Sequence, residues 1–277
     1  MSLQETTGVA LKLATLQLCG CSGCHISLLD VGQSLIDLIK NKQIQIKYSQ
    51  ILMDVKNLEE KIDILLVEGC VLTEHDEEIL KDYTGLAEKI VAVGSCACFG
   101  GPAAIANQFG RADVLKIMFP DSTFSLVSNV PSHNLPTIYE FACPIDMFVD
   151  VDFYVPGCPP ESEILRDFLT AIVKGKGSFG YVKTVCDECP CKRTGESPSE
   201  IRRIVDVATL DPDKCLVEQG IICMGKMTMG GCGAKCPKAG APCEGCRGFS
   251  LSLKEVSPSD APEIKKALVS FVRRKNS

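Results

Sequence analysis

The stretch that most constrains this chain is residues 231–248, GCGAKCPKAGAPCEGCRG, which places four cysteines within eighteen residues. Glycine, proline and alanine separate the thiols, so the stretch has neither the apolar stripe of a helix nor the alternation of a strand. Such a segment buries too little apolar surface to order itself, and it needs a cross-link or a bound metal. Disulfides, zinc and iron–sulfur clusters are the three candidates. The four residues are Cys232, Cys236, Cys243 and Cys246.

The beginning of the chain and its cysteine count argue against disulfides. The first residues contain no basic n-region, and Lys12 interrupts the apolar run that follows, so we expect no signal peptide and a cytoplasmic protein. Thiols are kept reduced in that compartment. The chain has 17 cysteines, an odd number that cannot pair completely within one molecule. Metal ligation is therefore the leading interpretation.

Charge and motifs exclude several functional classes. The formal net charge of −6 predicts no nucleic-acid partner, because such a protein would show a basic patch. No apolar segment approaches the roughly 20 residues of a membrane span. The sequence contains no HExxH, complete GxGxxG or Walker motif, so we predict no catalytic residues and no bound nucleotide. The three histidines form no metal-binding motif.

The first part of the chain alternates strand-like and helix-like patterns, which is typical of an α/β domain. After residue 177 the sequence changes to cysteine-rich loops. We predict a flavodoxin-like parallel-sheet domain over residues 1–177 and a smaller, loop-rich iron–sulfur domain over 178–277. The predicted strands are 11–18, 44–53, 62–69, 90–96 and 151–157, and the predicted helices are 25–40, 75–89, 161–175 and 261–275.

Cysteines directly follow several of the predicted strands. Cys21 and Cys24 form a CxxC after the first strand, Cys96 follows the fourth, and Cys158 follows the last. Because ligands of an open parallel sheet collect at the carboxyl ends of its strands, we expect these four thiols to meet at one metal site. A lone CxxC could instead be a redox pair, but that would leave Cys96 and Cys158 without a role. We interpret the other cysteines of this domain as small buried apolar residues: Cys19, Cys70, Cys98 and Cys143.

Nine cysteines remain for the second domain, one more than two four-cysteine sites require. Zinc uses paired CxxC motifs, and two such pairs are present. The other cysteines are single and irregularly spaced, which favours iron–sulfur clusters, and Cys-Pro steps resemble the end of ferredoxin motifs. Zinc stays open as the alternative. The nine residues are Cys186, Cys189, Cys191, Cys215, Cys223, Cys232, Cys236, Cys243 and Cys246.

Four motifs carry a resemblance to a known family. In order, CSGCHISLLD, LLVEGCV, VGSCACFGG and VPGCPP resemble the small, iron–sulfur subunit of [NiFe] hydrogenases, and respiratory complex I has a subunit that shares part of this pattern. The tail from residue 216 to 248 resembles the cytoplasmic archaeal branch, the F420-non-reducing (viologen-reducing) hydrogenases. The resemblance covers nearly the whole chain.

The resemblance implies three [4Fe–4S] clusters and assigns ligands to each. The proximal cluster would use the four thiols at the sheet edge. The medial cluster would be a full four-iron centre because Cys236 stands where many relatives have proline. Cys191 is then spare, although the choice between Cys189 and Cys191 stays open. The implied sets are Cys21, Cys24, Cys96 and Cys158 (proximal), Cys232, Cys236, Cys243 and Cys246 (medial), and Cys186, Cys189, Cys215 and Cys223 (distal).

The resemblance further implies an electron relay in an oxidoreductase. Hydrogen would be split at a nickel–iron centre in a separate large subunit. Electrons would leave for an acceptor subunit, an iron–sulfur or flavin protein linked to heterodisulfide reductase. The alternatives are a complex I-like or F420-reducing hydrogenase subunit, which the chain matches less well, and a metal-stapled interaction module without redox function.

Overall fold

The computed structural model describes residues 10–118, 135–207 and 209–250. The chain divides into two compact units, with the boundary between Phe179 and Gly180. Unit 1 is the part before this boundary, and unit 2 is the part from Gly180 onward. The helix predicted over 261–275 lies outside the described residues.

Unit 1 is built on a five-stranded parallel sheet with the order β2-β1-β3-β5-β7. This confirms the predicted α/β class with a parallel sheet. A second sheet, which the sequence patterns did not predict, pairs the short β4 with β6 in antiparallel fashion. The strands are β1 (Leu11–Gln17), β2 (Ile44–Ser49), β3 (Ile62–Glu68), β4 (Val71–Thr73), β5 (Ala87–Val93), β6 (Ile138–Cys143) and β7 (Phe153–Val155).

Helices connect the parallel strands of unit 1. The helix predicted over 25–40 is in fact two helices, because Gly32 has a positive φ of 62° that a helix cannot continue through. The strand predicted over 90–96 ends three residues early, so that Cys96 lies in a short helix. The helices are α1 (Gly23–Leu29), α2 (Gln33–Lys40), α3 (Glu74–Thr84), α4 (Gly94–Phe99), α5 (Arg111–Met118) and α6 (Ser162–Val173), with an eight-residue 3-10 helix at Gly101–Gln108 and a three-residue one at Ile145–Met147.

The core of unit 1 follows from apolar strands covered on both faces. β3 is buried over almost its whole length, and Leu65 and Val67 are fully inaccessible to solvent. Complete burial of one such side chain contributes roughly 1.5–3 kcal/mol to folding. Helix α3 starts at a capping box in which Thr73 and Asp76 satisfy one another's backbone N–H groups. The core therefore fixes the carboxyl ends of the strands, where the cysteines lie.

Unit 2 has little regular structure in the part that is described. It contains one helix, α7 (Lys235–Lys238), and three short 3-10 helices, Val185–Asp187, Ile204–Asp206 and Val217–Gln219. Its small buried cluster consists of Val185, Met224, Ala234 and Cys243, with further cysteines packed against it. Within residues 10–118, 135–207 and 209–250, no helix is long and apolar enough to span a bilayer.

Candidate metal centres

The four sheet-edge cysteines lie on three segments that follow the carboxyl ends of β1, β5 and β7. Cys21 lies just before α1 and Cys24 lies in its first turn, Cys96 lies in α4 directly after β5, and Cys158 follows β7. The backbone ties the segments together, because the amide of Ser95 donates to the carbonyl of Gly157 at 2.8 Å. Cys21 and Cys158 are exposed, whereas Cys24 and Cys96 are partly buried. The structure thus brings the predicted proximal residues to one edge of the sheet.

The thiols of this group are close enough to affect one another's ionisation. Burial raises the pKa of the Cys24 thiol, and the carboxylate of Glu68 and the sulfurs of Cys96 and Cys21 add to the effect. Burial also raises the pKa of Cys158, with a further contribution from Cys21. A metal must therefore offset the cost of deprotonating these groups before they can bind it.

Amide donors and glycines shape the surroundings of these sulfurs. Burial raises the pKa of Cys96, while the amide of Ala103, which donates to its sulfur, opposes that shift. A Cβ atom at Gly94 would lie 2.3 Å from the Cys24 sulfur, so this position accepts no larger residue. N–H donors to sulfur are a determinant of iron–sulfur potentials. Four thiols, an amide donor and a glycine-lined cradle fit a cluster-binding site.

A buried polar pair supports the cysteine loop and was not identified from the sequence. Glu68, at the end of β3, accepts a hydrogen bond from the amide of His25 at 2.7 Å. The same oxygen lies 2.7 Å from Nδ1 of His25, but the orientation of the imidazole ring does not give the angle that a hydrogen bond requires. Both side chains are only 3% exposed. The one feature of the sequence that indicates this pair is the acidic Glu68 within the otherwise apolar segment ILLVEG.

Of the remaining cysteines of unit 1, Cys98 is buried as predicted, whereas Cys143 is only partly buried. Cys98 is buried and lies 3.3 Å from the carbonyl of Ala92, and Cys143 lies 3.5 Å from the carbonyl of Phe141. Cys19 and Cys70 instead face one another. A hydrogen bond from Cys70 lowers the pKa of Cys19 to about 7.

Five cysteines of unit 2 line one cavity that is partly open to solvent. Its mouth is basic, and the guanidinium of Arg193 donates to the carbonyl of Cys186 at 3.1 Å. Burial raises the pKa of Cys186 to about 11, and Arg193 opposes that shift. The sulfurs of Cys189 and Cys191 share a hydrogen bond. The five are Cys186, Cys189, Cys191, Cys215 and Cys223, which are the predicted distal ligands and the spare cysteine.

The four predicted medial residues occupy the glycine-rich segment of unit 2. Cys232 and Cys243 lie together in the buried cluster. Cys236 is exposed at the second position of α7, and Cys246 is partly buried. The amide of Cys243 also donates to the sulfur of Cys223 at 3.2 Å, which connects this group with the distal one.

A carboxylate orders this segment where regular structure is missing. Glu188 accepts hydrogen bonds from the amides of Gly231 and Gly233, at 2.6 and 2.8 Å. The structure therefore satisfies backbone donors of the glycine-rich loop with a side chain from the Cys186–Cys189 segment. Throughout the described ranges, no three His, Cys, Asp or Glu side chains are arranged to hold a single metal ion.

Known proteins resemble this chain over most of its length. Residues 21–172 match the family described as NADH ubiquinone oxidoreductase, 20 kDa subunit. The chain is 39% identical over 240 residues to a subunit of the F420-non-reducing hydrogenase vhu of Methanocaldococcus jannaschii, covering 87% of this chain and 82% of the relative. It is 32% identical over 267 residues to the iron-sulfur subunit of the F420-non-reducing hydrogenase of Archaeoglobus profundus, covering 87% and 83%.

A solved structure supports the fold and the family. The chain superposes on the crystal structure of an NAD+-reducing [NiFe] hydrogenase in the H2-reduced state with a TM-score of 0.55 and 36% identity. The match covers 62% of this chain and 96% of the other. The resemblance inferred from the four motifs is confirmed. The chain belongs to the family of hydrogenase small subunits, and it is an oxidoreductase subunit rich in cysteine.

Proposed function

We propose that this chain is the electron-transfer small subunit of a cytoplasmic [NiFe] hydrogenase, and that it relays electrons from H2 oxidation to an acceptor subunit. The observation that carries the proposal is the gathering of Cys21, Cys24, Cys96 and Cys158 at one edge of the parallel sheet. Thiolates from three separate segments of the chain suit a cubane, whose iron corners each take an independent ligand.

Three [4Fe–4S] clusters would supply one-electron redox chemistry when bound. The chain contributes the thiolates and the surroundings that tune them. The amide of Ala103 donates to the sulfur of Cys96 and so favours its anionic thiolate. The amide of Cys243 donates to the sulfur of Cys223. The proposed sets are Cys21, Cys24, Cys96 and Cys158 (proximal), Cys232, Cys236, Cys243 and Cys246 (medial), and Cys186, Cys189, Cys215 and Cys223 (distal).

The chemistry on hydrogen is assigned to a large subunit that carries nickel and iron, because no motif of this chain resembles that centre's ligand set. The acceptor is an iron–sulfur or flavin protein linked to heterodisulfide reductase, in methanogenesis. Support for this acceptor comes from the similarity to the F420-non-reducing hydrogenases. Arg193 and Lys226 beside the cavity of unit 2 give that surface a positive charge, which would attract an acidic partner.

A complex I-like subunit is the second candidate, because the family match over residues 21–172 carries that family's name. This match lies within unit 1, and the cysteine-lined cavity lies in unit 2. A complex I-like assignment would leave the cysteines of unit 2 without a role, so the hydrogenase assignment explains more of the chain.

The proposed function is tested by anaerobic co-purification of the tagged chain. We expect a nickel-containing partner to co-purify, and H2 gas to bleach the cluster absorbance near ~400 nm, as one-electron reduction of iron–sulfur centres does. Dithionite provides the reference for full reduction. A complex that dithionite bleaches but H2 leaves unchanged would contradict the hydrogenase assignment while leaving the clusters in place.

Cys236 offers a specific test of the medial centre. Because Cys236 lies in the first turn of α7, where backbone N–H groups have no intrahelical acceptor, Cys236→Pro should remove the thiol without removing a helical hydrogen bond. We expect one four-iron centre to become a three-iron centre, with a loss of about one iron per chain. Electron paramagnetic resonance of the air-protected complex measures the new signal.

Cys236→Ala removes the same thiol without constraining the backbone, so it should give the same three-iron signal. If both variants keep all cluster signals unchanged, Cys236 is not a ligand. If only Cys236→Pro changes the cluster signals, the change comes from the altered backbone of α7 rather than from loss of a ligand, and the medial assignment is wrong.

A further inference from the structure

Two thiols of unit 1 outside the proposed ligand sets are held opposite one another. Cys19 and Cys70 form an isolated antiparallel bridge just beyond the ends of β1 and β3. The amide of Cys19 donates to the carbonyl of Cys70 at 3.1 Å, and that of Cys70 donates back at 2.9 Å. Residues that exchange both bonds have Cα atoms about 5.5 Å apart. That separation lies within the roughly 4.4–6.8 Å that disulfides span.

The side chains of this pair also point toward one another. The Cys70 thiol donates to the carbonyl oxygen of Cys19 at 3.4 Å, and the two thiols are close enough to interact. The pair therefore meets the Cα requirement for a disulfide, and side-chain rotation would bring the two sulfurs together.

Glycines on both strands hold the bridge closed. Gly69 has a φ of +88°, and a Cβ there would lie 2.8 Å from the carbonyl carbon of Leu18. A Cβ at Gly20 would lie 3.1 Å from the Cα of Gly69. The two backbones approach so closely that any side chain at Gly69 would separate Cys19 from Cys70.

We propose that Cys19 and Cys70 form a reversible dithiol–disulfide site that reacts with low-molecular-weight disulfides. Cys19 is partly exposed and Cys70 is fully buried, so an external reagent reaches Cys19 first and Cys70 acts as the resolving thiol. Neither thiol belongs to the proposed proximal set, Cys21, Cys24, Cys96 and Cys158, although Cys19 lies only two residues before Cys21.

The reaction consists of two exchange steps. The Cys19 thiolate attacks one sulfur of the reagent, the reagent's S–S bond breaks, and one thiol leaves as a mixed disulfide forms. The Cys70 sulfur then attacks the Cys19 sulfur and releases the second thiol. The protons of the two cysteines pass to the two leaving thiolates. The pair is oxidised by two electrons, and the reagent is reduced by the same two.

A disulfide at this position would clamp the ends of β1 and β3 beside the loop that carries Cys21. It consumes no proposed cluster ligand, so oxidation should leave the bound iron unchanged. Reduction by excess dithiothreitol should restore both thiols.

The test treats the intact, anaerobically purified complex with glutathione disulfide, followed by N-ethylmaleimide and digestion without reductant. We expect a peptide pair joined through Cys19 and Cys70, with the mass of both peptides less two hydrogen atoms. The cross-link should disappear with dithiothreitol and be absent in Cys19→Ser. Cys143, which is partly buried and has no thiol facing it among the described contacts, is the internal control and should give only mixed disulfide or maleimide adduct.

The variant Cys98→Ser is a matched control, because it removes another buried thiol of unit 1 and should keep the cross-link. The proposal is overturned if Cys19 ends only as a glutathione adduct, or if both thiols are alkylated after treatment. It is also overturned if iron is lost in proportion to cross-linking, since the pair would then be part of the cluster site. Should Cys19→Ser purify poorly, Cys70→Ala provides the same test from the resolving side.

Discussion

Replacing Gly94 with alanine is expected to remove the cluster of unit 1 and to abolish electron transfer from H2. The added Cβ would lie 2.3 Å from the Cys24 sulfur, and φ at this position is +84°, which side chains rarely adopt. The clash can be relieved only by moving the Cys24 side chain or the backbone of α4, which carries Cys96, and either movement displaces a proposed ligand. We expect a loss of about four irons per chain, the content of one four-iron centre. Iron analysis and H2-dependent dye reduction of the assembled complex measure the effect.

Gly175 is the matched control for Gly94. It has a comparable positive φ of +69°, but a Cβ there meets no atom within 4 Å. Gly175→Ala should therefore cost only the backbone strain, about 1 kcal/mol, and keep all its iron. If Gly94→Ala retains full iron and activity, the close packing around Cys24 does not matter for a cluster. If both variants lose iron equally, the effect is backbone strain rather than contact with the ligand.

Replacing Cys96 with serine is expected to have an effect of similar size, by direct loss of a ligand. Changes to groups that only support a ligand cost about 10–100-fold in metal affinity or activity, so loss of the ligand itself should exceed that range. We expect H2-dependent dye reduction to fall by more than about 100-fold. The electron paramagnetic resonance signals of the unit 2 centres should persist under dithionite.

Cys98→Ser is the control for Cys96, because the two thiols lie in the same helix, α4, only two residues apart. Cys98 is buried and lies 3.3 Å from the carbonyl of Ala92, which a serine hydroxyl can also contact. Cys98→Ser should keep all its iron, and its rate of H2-dependent dye reduction should stay within a factor of a few of the unchanged complex. Equal losses in both variants would indicate that α4 tolerates no change and would remove the support for Cys96 as a ligand.

Much of unit 1 could be predicted because its strands follow from short apolar patterns in the sequence. Continuous apolar runs become strands, and a parallel sheet brings its carboxyl ends to one edge whatever the loops between them do. That rule placed Cys96 and Cys158 near Cys21 although they are far apart in sequence. The break at Gly32 and the early end of β5 were missed because both depend on backbone conformation, and an apolar pattern does not report φ angles.

The polar support of the sites could not be predicted from spacing. Glu68 follows an apolar strand, and its role depends on the amide of His25, which only the folded loop brings within 2.7 Å. Glu188 likewise orders Gly231 and Gly233 from more than forty positions away. The facing thiols of Cys19 and Cys70 were interpreted as inert apolar residues, since neither position shows alone that its partner is opposite.

The assignment of the unit 2 cysteines to a medial and a distal cluster is the part of the site that sequence spacing predicts least well. Cys191 lines the same cavity as Cys189, and the amide of Cys243 donates to Cys223 across the proposed boundary. A glycine-rich segment has few steric constraints that would select one set over another. The assignment therefore depends on the family resemblance and on the iron content of each variant.

The metal content of the chain is the most direct test of the iron–sulfur relay. The complex is purified anaerobically, and iron, acid-labile sulfide and zinc are measured per copy of this chain after subtraction of the large subunit's own metals. Three four-iron centres predict about twelve irons, an equal amount of sulfide and no stoichiometric zinc. One or two equivalents of zinc with no iron in this chain would show that its cysteines hold a structural metal, and the relay would be contradicted.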